Sequence, residues 1–454
     1  MRTSFGLLLL TFLVLCWGCV WAQTDTGVPD NAPQTQPGPQ PAFTYPDTTP
    51  SLDFLTQSVE NSSITLGITT GFTYYSNAIA TPDAPHADWW LYHVMPDIRI
   101  QQFRPKFSWN LGYSGGYQTY VYSTGRGRNA NNNLFSQNAS AGFLWQMARH
   151  WQLLGSDSFH YSANPFDSYL TTPGTPTMNN PNPIIYTPLT QYTQNAGTLT
   201  LTDQLTKVDT LSFNGTANLR RTSSYNLVTS VPFYNLISYG GRANYAHQFS
   251  PRFTLGAGYD FNSLDFGKGV QRSGIQTISA TVDYLLRPNM TISAWAGPEY
   301  TQTKTVVNIL GFNFITHSSL WNVALGANFG WQGLRNSVRV GYVRQVTDGG
   351  GLIATSQVNS FNAQYRRLIT SKLDGTAGAR YFHDVSTTTA DRKFDNFYVS
   401  AGVNYKIAKS FSAEANYGYV HSTQSNAFLI NRGTYNTNLF AASISYSWNH
   451  PLGR

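Results

Sequence analysis

The sequence predicts an all-β protein whose strands close into a transmembrane antiparallel β-barrel of about 18 strands, with 16 as the alternative. Three observations predict it. Charged residues make up 11% of the chain and aromatic residues 15%, whereas soluble domains carry ~25% charge. Beyond the N-terminus no run of 18 apolar residues exists to span a bilayer as a helix. Instead, long segments alternate apolar and polar side chains. Only helices and closed barrels satisfy every backbone group inside a membrane, so alternation without helices points to a barrel.

The first residues predict export. Arg2 precedes an apolar run from Leu7 to Val14, and Val20-Trp21-Ala22 offers a small residue for cleavage after Ala22. That run is short for a helix crossing ~30 Å of hydrocarbon, which argues against a membrane anchor. Gly18-Cys19 resembles the end of a lipoprotein signal, although Cys16 stands where such signals carry Leu. Cys16 and Cys19 are the only cysteines. Removing residues 1–22 therefore removes every thiol that could form a disulfide or bind a metal. Residues 23–60, rich in Pro, Gln and Thr without a period, read as a flexible periplasmic leader. The barrel is assigned to residues 61–454.

Within that region Phe253, Leu255, Ala257, Tyr259 and Phe261 share one face, and Thr254, Gly256, Gly258, Asp260 and Asn262 share the other. Trp321–Trp331, Phe397–Tyr405 and Phe411–Tyr419 repeat the split. Side chains alternate faces in a strand, so each is a strand with one apolar and one polar face. Length separates a membrane barrel from a sandwich. These segments suit a tilted membrane strand of ~9–11 residues plus overhang, while ordinary strands average ~5–6. Their polar faces also carry Gly, Ser, Asn and Thr where a soluble surface would carry Lys and Glu.

Short basic turns are expected at Arg104-Pro105-Lys106, Arg149-His150, Thr206-Lys207, Ser250-Pro251-Arg252, Arg287-Pro288, Gly333-Leu334-Arg335, Ser371-Lys372 and Lys406 to Lys409. Longer polar loops are expected at Ser76–Trp90, Ser162–Thr190, Thr301–Ser319 and His421–Asn436. Outer-membrane barrels put short turns in the periplasm and long loops outside. Eight turns separate nine hairpins, hence 18 strands with both termini periplasmic. The weakest strands are Val94–Phe103, which contains Pro96, and Trp151–Tyr161.

The last strand, Asn438 to Trp448, places Phe440, Ala442, Ile444, Tyr446 and Trp448 on one face. It resembles the C-terminal assembly signal of outer-membrane proteins, with the difference that Asn449 to Arg454 follow the terminal aromatic. Over residues 61–454 the pattern resembles the loosely defined group of bacterial outer-membrane β-barrel porins. That resemblance implies an outer-membrane location, contact with lipid and lipopolysaccharide, and recognition of the last strand by the barrel-assembly machinery. Some members of the group are associated with exopolysaccharide export.

Nine charged residues fall on the polar faces and are expected in the lumen: Arg99, Arg242, Arg339, Arg366, Arg380, Asp260, Asp283, Glu299 and Glu414. Facing them to lipid would cost ~2–4 kcal/mol for Arg at midplane. Opposed charges of this kind can form an electrostatic filter, or can simply brace the wall by ion pairs. Ser162–Thr190, the longest loop, is a candidate constriction. Trp145, Trp321, Trp331, Tyr405, Tyr446 and Trp448 fall near expected strand ends and suit the interfacial girdles. Trp295 and Tyr398 are the aromatics whose phase is inward.

Catalysis finds little support. The nine histidines include no HExxH or comparable metal spacing, so no metal or other cofactor is expected. His160 with Ser158 and Asp157, or His383 beside Asp384, are the only groupings that suggest a dyad. The net charge of +7 comes without the basic, aromatic-interleaved stripe of a nucleic-acid binder. The expected function is a passive or weakly selective channel for small hydrophilic solutes. The alternatives are an accessory of exopolysaccharide export and a structural barrel with a blocked lumen. Homo-oligomerisation is left open.

Overall fold

The computed structural model describes residues 62–76, 88–122, 133–162, 191–223, 235–267, 269–309, 312–348, 354–387, 393–425 and 433–452. The expected signal peptide, the leader and, apart from Ser162, the expected loop Ser162–Thr190 lie outside the described residues. Eighteen strands run in order: β1 Ser63–Tyr75, β2 Trp89–Gln102, β3 Phe107–Tyr122, β4 Asn133–Gln146, β5 Trp151–Ser162 and β6 Gln191–Asp203. Then follow β7 Asp209–Ser223, β8 Leu236–Ser250, β9 Phe253–Phe266, β10 Gln271–Arg287, β11 Met290–Ile309 and β12 Phe312–Gln332. The last six are β13 Asn336–Thr347, β14 Ser356–Leu368, β15 Leu373–Ser386, β16 Lys393–Lys406, β17 Phe411–Ser425 and β18 Gly433–Pro451. No helix occurs among the described residues.

Each strand pairs antiparallel with its sequence neighbours, and β1 pairs with β18 over 13 positions from Ser63↔Pro451 to Tyr75↔Leu439. The sheet is therefore closed and has no terminal edge. All eight expected short turns separate strands, with links of two to five residues. Two share one device: the Oγ1 atoms of Thr206 and Thr370 each accept from the backbone N–H groups two and three residues on, at 3.0–3.2 Å.

The alternation that marked the strands decides which side faces where. In β10, Ser273, Thr277, Ser279 and Thr281 point inward and are buried, while Ile278 and Tyr284 point outward and are exposed. The outer wall is a belt of exposed Leu, Ile, Val, Phe, Tyr and Trp. Both weak segments are strands. Pro96 is tolerated in β2 because the β2–β3 ladder is interrupted there, between Val94↔Tyr117 and Asp97↔Ser114.

At the opposite end most links are longer, but two are not. Residues 267–270 join β9 to β10, and Gly267 and Gly269 supply the positive φ values of 59° and 95° that so tight a turn requires. Residues 310–311 join β11 to β12. The expected loop Thr301–Ser319 is instead mostly ladder, from Thr301↔Leu320 to Ile309↔Phe312. Its upper part rises above the apolar belt, so both faces of β12 from Phe314 to Leu320 are exposed and the amphipathic signal fades.

That hairpin also parts from its neighbour. β12 pairs with β13 only from Leu325↔Arg344 to Gln332↔Ser337. Above this point β12 keeps β11 as its ladder partner, while β13 continues with β14 to Thr347↔Ser356. The wall has a seam there, and what fills it shapes the interior.

Candidate channel interior

The interior has two levels. Near the short-turn end the inner face carries exposed charge: Arg99, Arg339, Arg366 and Glu414 all stand within four residues of that end. Arg366 Nη2 lies 3.3 Å from Asp374 Oδ2, and Arg99 Nε lies 3.8 Å from Asp97 Oδ2. Both arginines are more than half exposed, so these pairs are wet and weak. Higher up, the inner charges are enclosed. Arg242 Nη1 meets Asp260 Oδ1 at 3.4 Å with both side chains largely buried. Arg380 and Glu299 are buried, and Asp283 is partly so.

All nine nominated charges thus share the inner face, as the registers place them. They do not form one set at one depth. Glu299 is the clearest departure from a filter residue. Its carboxylate accepts the Val346 N–H at 3.0 and 3.2 Å and the Asn322 Nδ2–H at 3.3 Å. Arg344 Nη2 donates to Asn322 Oδ1 at 3.3 Å. With the Gln357 amide turned to suit its surroundings, its oxygen accepts from Arg344 Nε and Nη2 at 2.8 Å. These residues come from β11, β12, β13 and β14, and they fill the seam. A strand leaving its ladder exposes backbone donors, and a buried acceptor must meet them.

The same departure turns the β13–β14 end into the barrel. In strand order β14 stands four places from β10, yet Thr355 Oγ1 accepts from Gln271 Nε2 at 2.9 Å and lies 2.7 Å from Ser273 Oγ. Asp348 Oδ2 pairs with Arg220 Nη1 of β7 at 2.9 Å, both largely buried. Val346 and Ala354 pack in one buried cluster with Leu236, Leu264, Phe266 and Ile275 of β8–β10. The ends of β13 and β14 therefore cross the interior and rest on the inner wall of β7–β10. This narrows the barrel at its long-loop end.

No local sequence pattern marks Arg220, Asp348, Arg344 or Thr355 as part of a site. The one local signal is Gly349-Gly350-Gly351-Leu352-Ile353, a connection with an apolar pair where a polar loop is expected. On the other side, Tyr75, Trp89, Leu91, Val358, Phe382, Phe394, Val420 and Leu439 are inward-phased and buried near the long-loop end. The interior thus changes along its length from wet and exposed to filled, with apolar side chains packed beside paired polar ones.

Trp145, Trp331, Tyr405, Tyr446 and Trp448 lie on the outer wall near the short-turn end. Trp321 is outward but lies at mid-length of β12, not near a strand end, because β12 runs on to Phe312. Trp295 and Tyr398 face inward and are buried. His160 points inward and is bonded to Asn138, while Asp157 of the same strand points outward, so that grouping does not assemble. His383 points outward and Asp384 inward, which separates the second grouping as well. Among the described residues no three His, Cys, Asp or Glu side chains are grouped to hold a metal.

No protein-family profile matches the chain, and no curated protein matches it. Solved structures of similar shape include OccAB2 of Acinetobacter baumannii, at 12% identity and a TM-score of 0.42, over 86% of this chain and 98% of that one. They also include the outer membrane protein OpdK of Pseudomonas aeruginosa, at 11% identity and a TM-score of 0.40, over 86% and 100%. OccK2 (OpdF) of Pseudomonas aeruginosa, in a complex with glucuronate, shows 13% identity and a TM-score of 0.41, over 86% and 98%. Overlap at this level carries no assignment of family or cargo.

Proposed function

We propose that the chain is an outer-membrane channel for small hydrophilic solutes, with the short-turn end in the periplasm and the long-loop end outside. The observation that carries this reading is the polarity of the closed wall. An apolar belt covers the outside, while exposed Arg99, Arg339, Arg366 and Glu414 line the inside of one mouth. A soluble barrel has no use for so exposed an apolar exterior. Basic side chains in or beside the short turns, among them Lys106, Arg149, Lys207, Arg252, Arg287, Arg335 and Lys372, surround that mouth and favour anions mildly. The reading also makes lipid and lipopolysaccharide the outer contacts, and β18 the strand offered to the assembly machinery.

The filled long-loop end favours passage through a constriction rather than a wide pore, and it is also what a blocked, structural barrel would show. Planar-bilayer recording separates the two. Purified protein with the heat-modifiable migration of a folded barrel is expected to give discrete current steps. Folded protein that never conducts would overturn the channel and leave the blocked barrel.

A further inference from the structure

The outer wall is not uniformly apolar. Following the pairings from β4 to β7, the outward positions at one level are Ala141, Asp157, Gly197 and Ala217. One level nearer the short turns stand Gly155, Leu199 and Gly215. A side chain added at Gly215 would meet nothing within 4 Å, whereas one at Gly197 would come within 3.2 Å of Asp157 Oδ1. The wall is thus recessed at Gly197 and Gly215, where a carboxylate has room to lie along it, whereas the Phe143 ring covers Gly155 and forms one rim. Tyr113, Phe143, Phe159 and Leu199 stand around the recess.

Asp157 is the seventh of the 12 residues of β5 and is exposed. Other outward Asp, Glu, Lys and Arg side chains among the described residues stand toward strand ends, as do Asp209, Asp265, Arg272 and Asp395, or fill the seam, as does Arg344. Asn195 Nδ2 donates to both Asp157 oxygens, at 3.3 and 3.1 Å. One amide leaves most of the carboxylate's acceptor capacity open at a depth where hydrocarbon offers no donor.

We propose that this recess is where a second copy of the chain docks, side by side in the membrane. The inference rests on the membrane-barrel reading. Lipid headgroups lie at the rims, so a partner for Asp157 must bring donors at mid-depth. The recess itself brings them. Asn195 stands opposite Phe159, one level nearer the long loops than Asp157, and its amide meets the Asp157 carboxylate side chain to side chain, so the two polar groups lie together at mid-depth, with Gln137 on the same outward face of β4. A two-fold axis along the membrane normal keeps depth unchanged, so Asp157 of one copy meets Asn195 of the other and the reverse. Small residues around the pair let two walls approach closely, as membrane interfaces require.

Single cysteines test this in a background in which Cys16 and Cys19 are serine. Ala141→Cys and Ala217→Cys lie in the recess, and Ala401→Cys lies on the outer face of β16, far around the barrel. Mild oxidation of intact membranes is expected to cross-link at least one recess variant to twice the chain mass, at ten times the yield of Ala401→Cys. Adding Asp157→Leu with Asn195→Leu is expected to lower that yield about tenfold while heat-modifiable migration and conductance stay as before. Equal yields at all three positions overturn the proposal, as does cross-linking that survives loss of the polar pair. A barrel that gains heat stability from Asp157→Leu without any cross-link points to lipid as the occupant and also overturns it. Failure to recover the chain in membranes sinks both readings, whereas conducting barrels without the cross-link sink this one alone.

Discussion

His383 Nδ1 lies 2.7 Å from Oδ1 of Asp395, its partner across the β15–β16 ladder, and Tyr381 Oη donates to the same oxygen at 2.9 Å. The arrangement recurs. Asn436 Oδ1 accepts from His421 Nδ1 at 2.7 Å and Tyr419 Oη at 2.9 Å. Asp209 Oδ1 takes His247 Nδ1 at 2.7 Å and Tyr245 Oη at 2.6 Å. Each unit is a Tyr-x-His on one strand clamped to one acceptor on the next, facing outward near a strand end. Tyrosine sits at membrane boundaries because its ring suits lipid and its hydroxyl suits water. Here the hydroxyl has a fixed protein partner.

Asp395→Ala should therefore loosen the β15–β16 ladder at its long-loop end. Each lost hydrogen bond contributes about 0.5–1.5 kcal/mol, and the half-exposed site lets water replace part of it. A loss of about 1 kcal/mol is expected in urea unfolding from lipid vesicles, with Tyr381→Phe losing about half as much. No change in midpoint for Asp395→Ala would show that the clamp holds nothing.

The seam makes a stronger demand. Glu299→Ala removes the acceptor of the buried Val346 N–H and one partner of Asn322, and an unmet buried donor costs about 1–3 kcal/mol. The variant should be less stable, and the freed β13 end should raise single-channel conductance. Glu299→Gln keeps one acceptor and should fall between the two. Wild-type conductance in a folded Glu299→Ala barrel would argue that the seam does not control the passage.

Arg220→Ala and Asp348→Asn should act alike, because each frees the β13–β14 end from the β7 wall. Both are expected to widen the passage, read as larger current steps and faster flux of a labelled sugar. The double variant should match the singles, since one contact is being removed. Additive effects would mean that the two residues act separately.

Depth ranks the charges for selectivity. Arg339 and Arg366 are exposed at the short-turn mouth, whereas Arg242 and Arg380 are buried in the wall's own contacts. Arg339→Ala and Arg366→Ala should each shift the reversal potential in a salt gradient toward cation preference. Arg242→Ala should instead lower heat stability with a smaller shift. The opposite order would place the filter deep in the barrel.

Much of the barrel was legible because its signals are local. The eight basic turns and the two-residue alternation of β9, β16 and β17 belong to single segments, and even β2 with Pro96 kept its phase. Alternation also gave the facing of all nine inner charges. It could not give their depth, or what packs over them, since Glu299 meets Val346 only because β12 and β13 part. The pairing of Arg220 with Asp348 spans 128 positions of sequence, and no local pattern reports so distant a contact. Upper β12 looks like a loop in sequence for a related reason, because a strand wet on both faces carries no amphipathic stripe.

The joining of β1 to β18 has a consequence for how the chain is made. Thr69 and Ser445 bond across it with 376 positions between them, and Leu452 N–H reaches Ser62 O at 2.7 Å. Contacts so far apart in sequence form late and slowly. Until β18 arrives, every earlier stage is an open sheet with two bare edges, each able to capture a strand from another molecule. The chain therefore has to be sheltered until it is complete, and a protein shortened by its final strand would be a permanent intermediate rather than a smaller barrel.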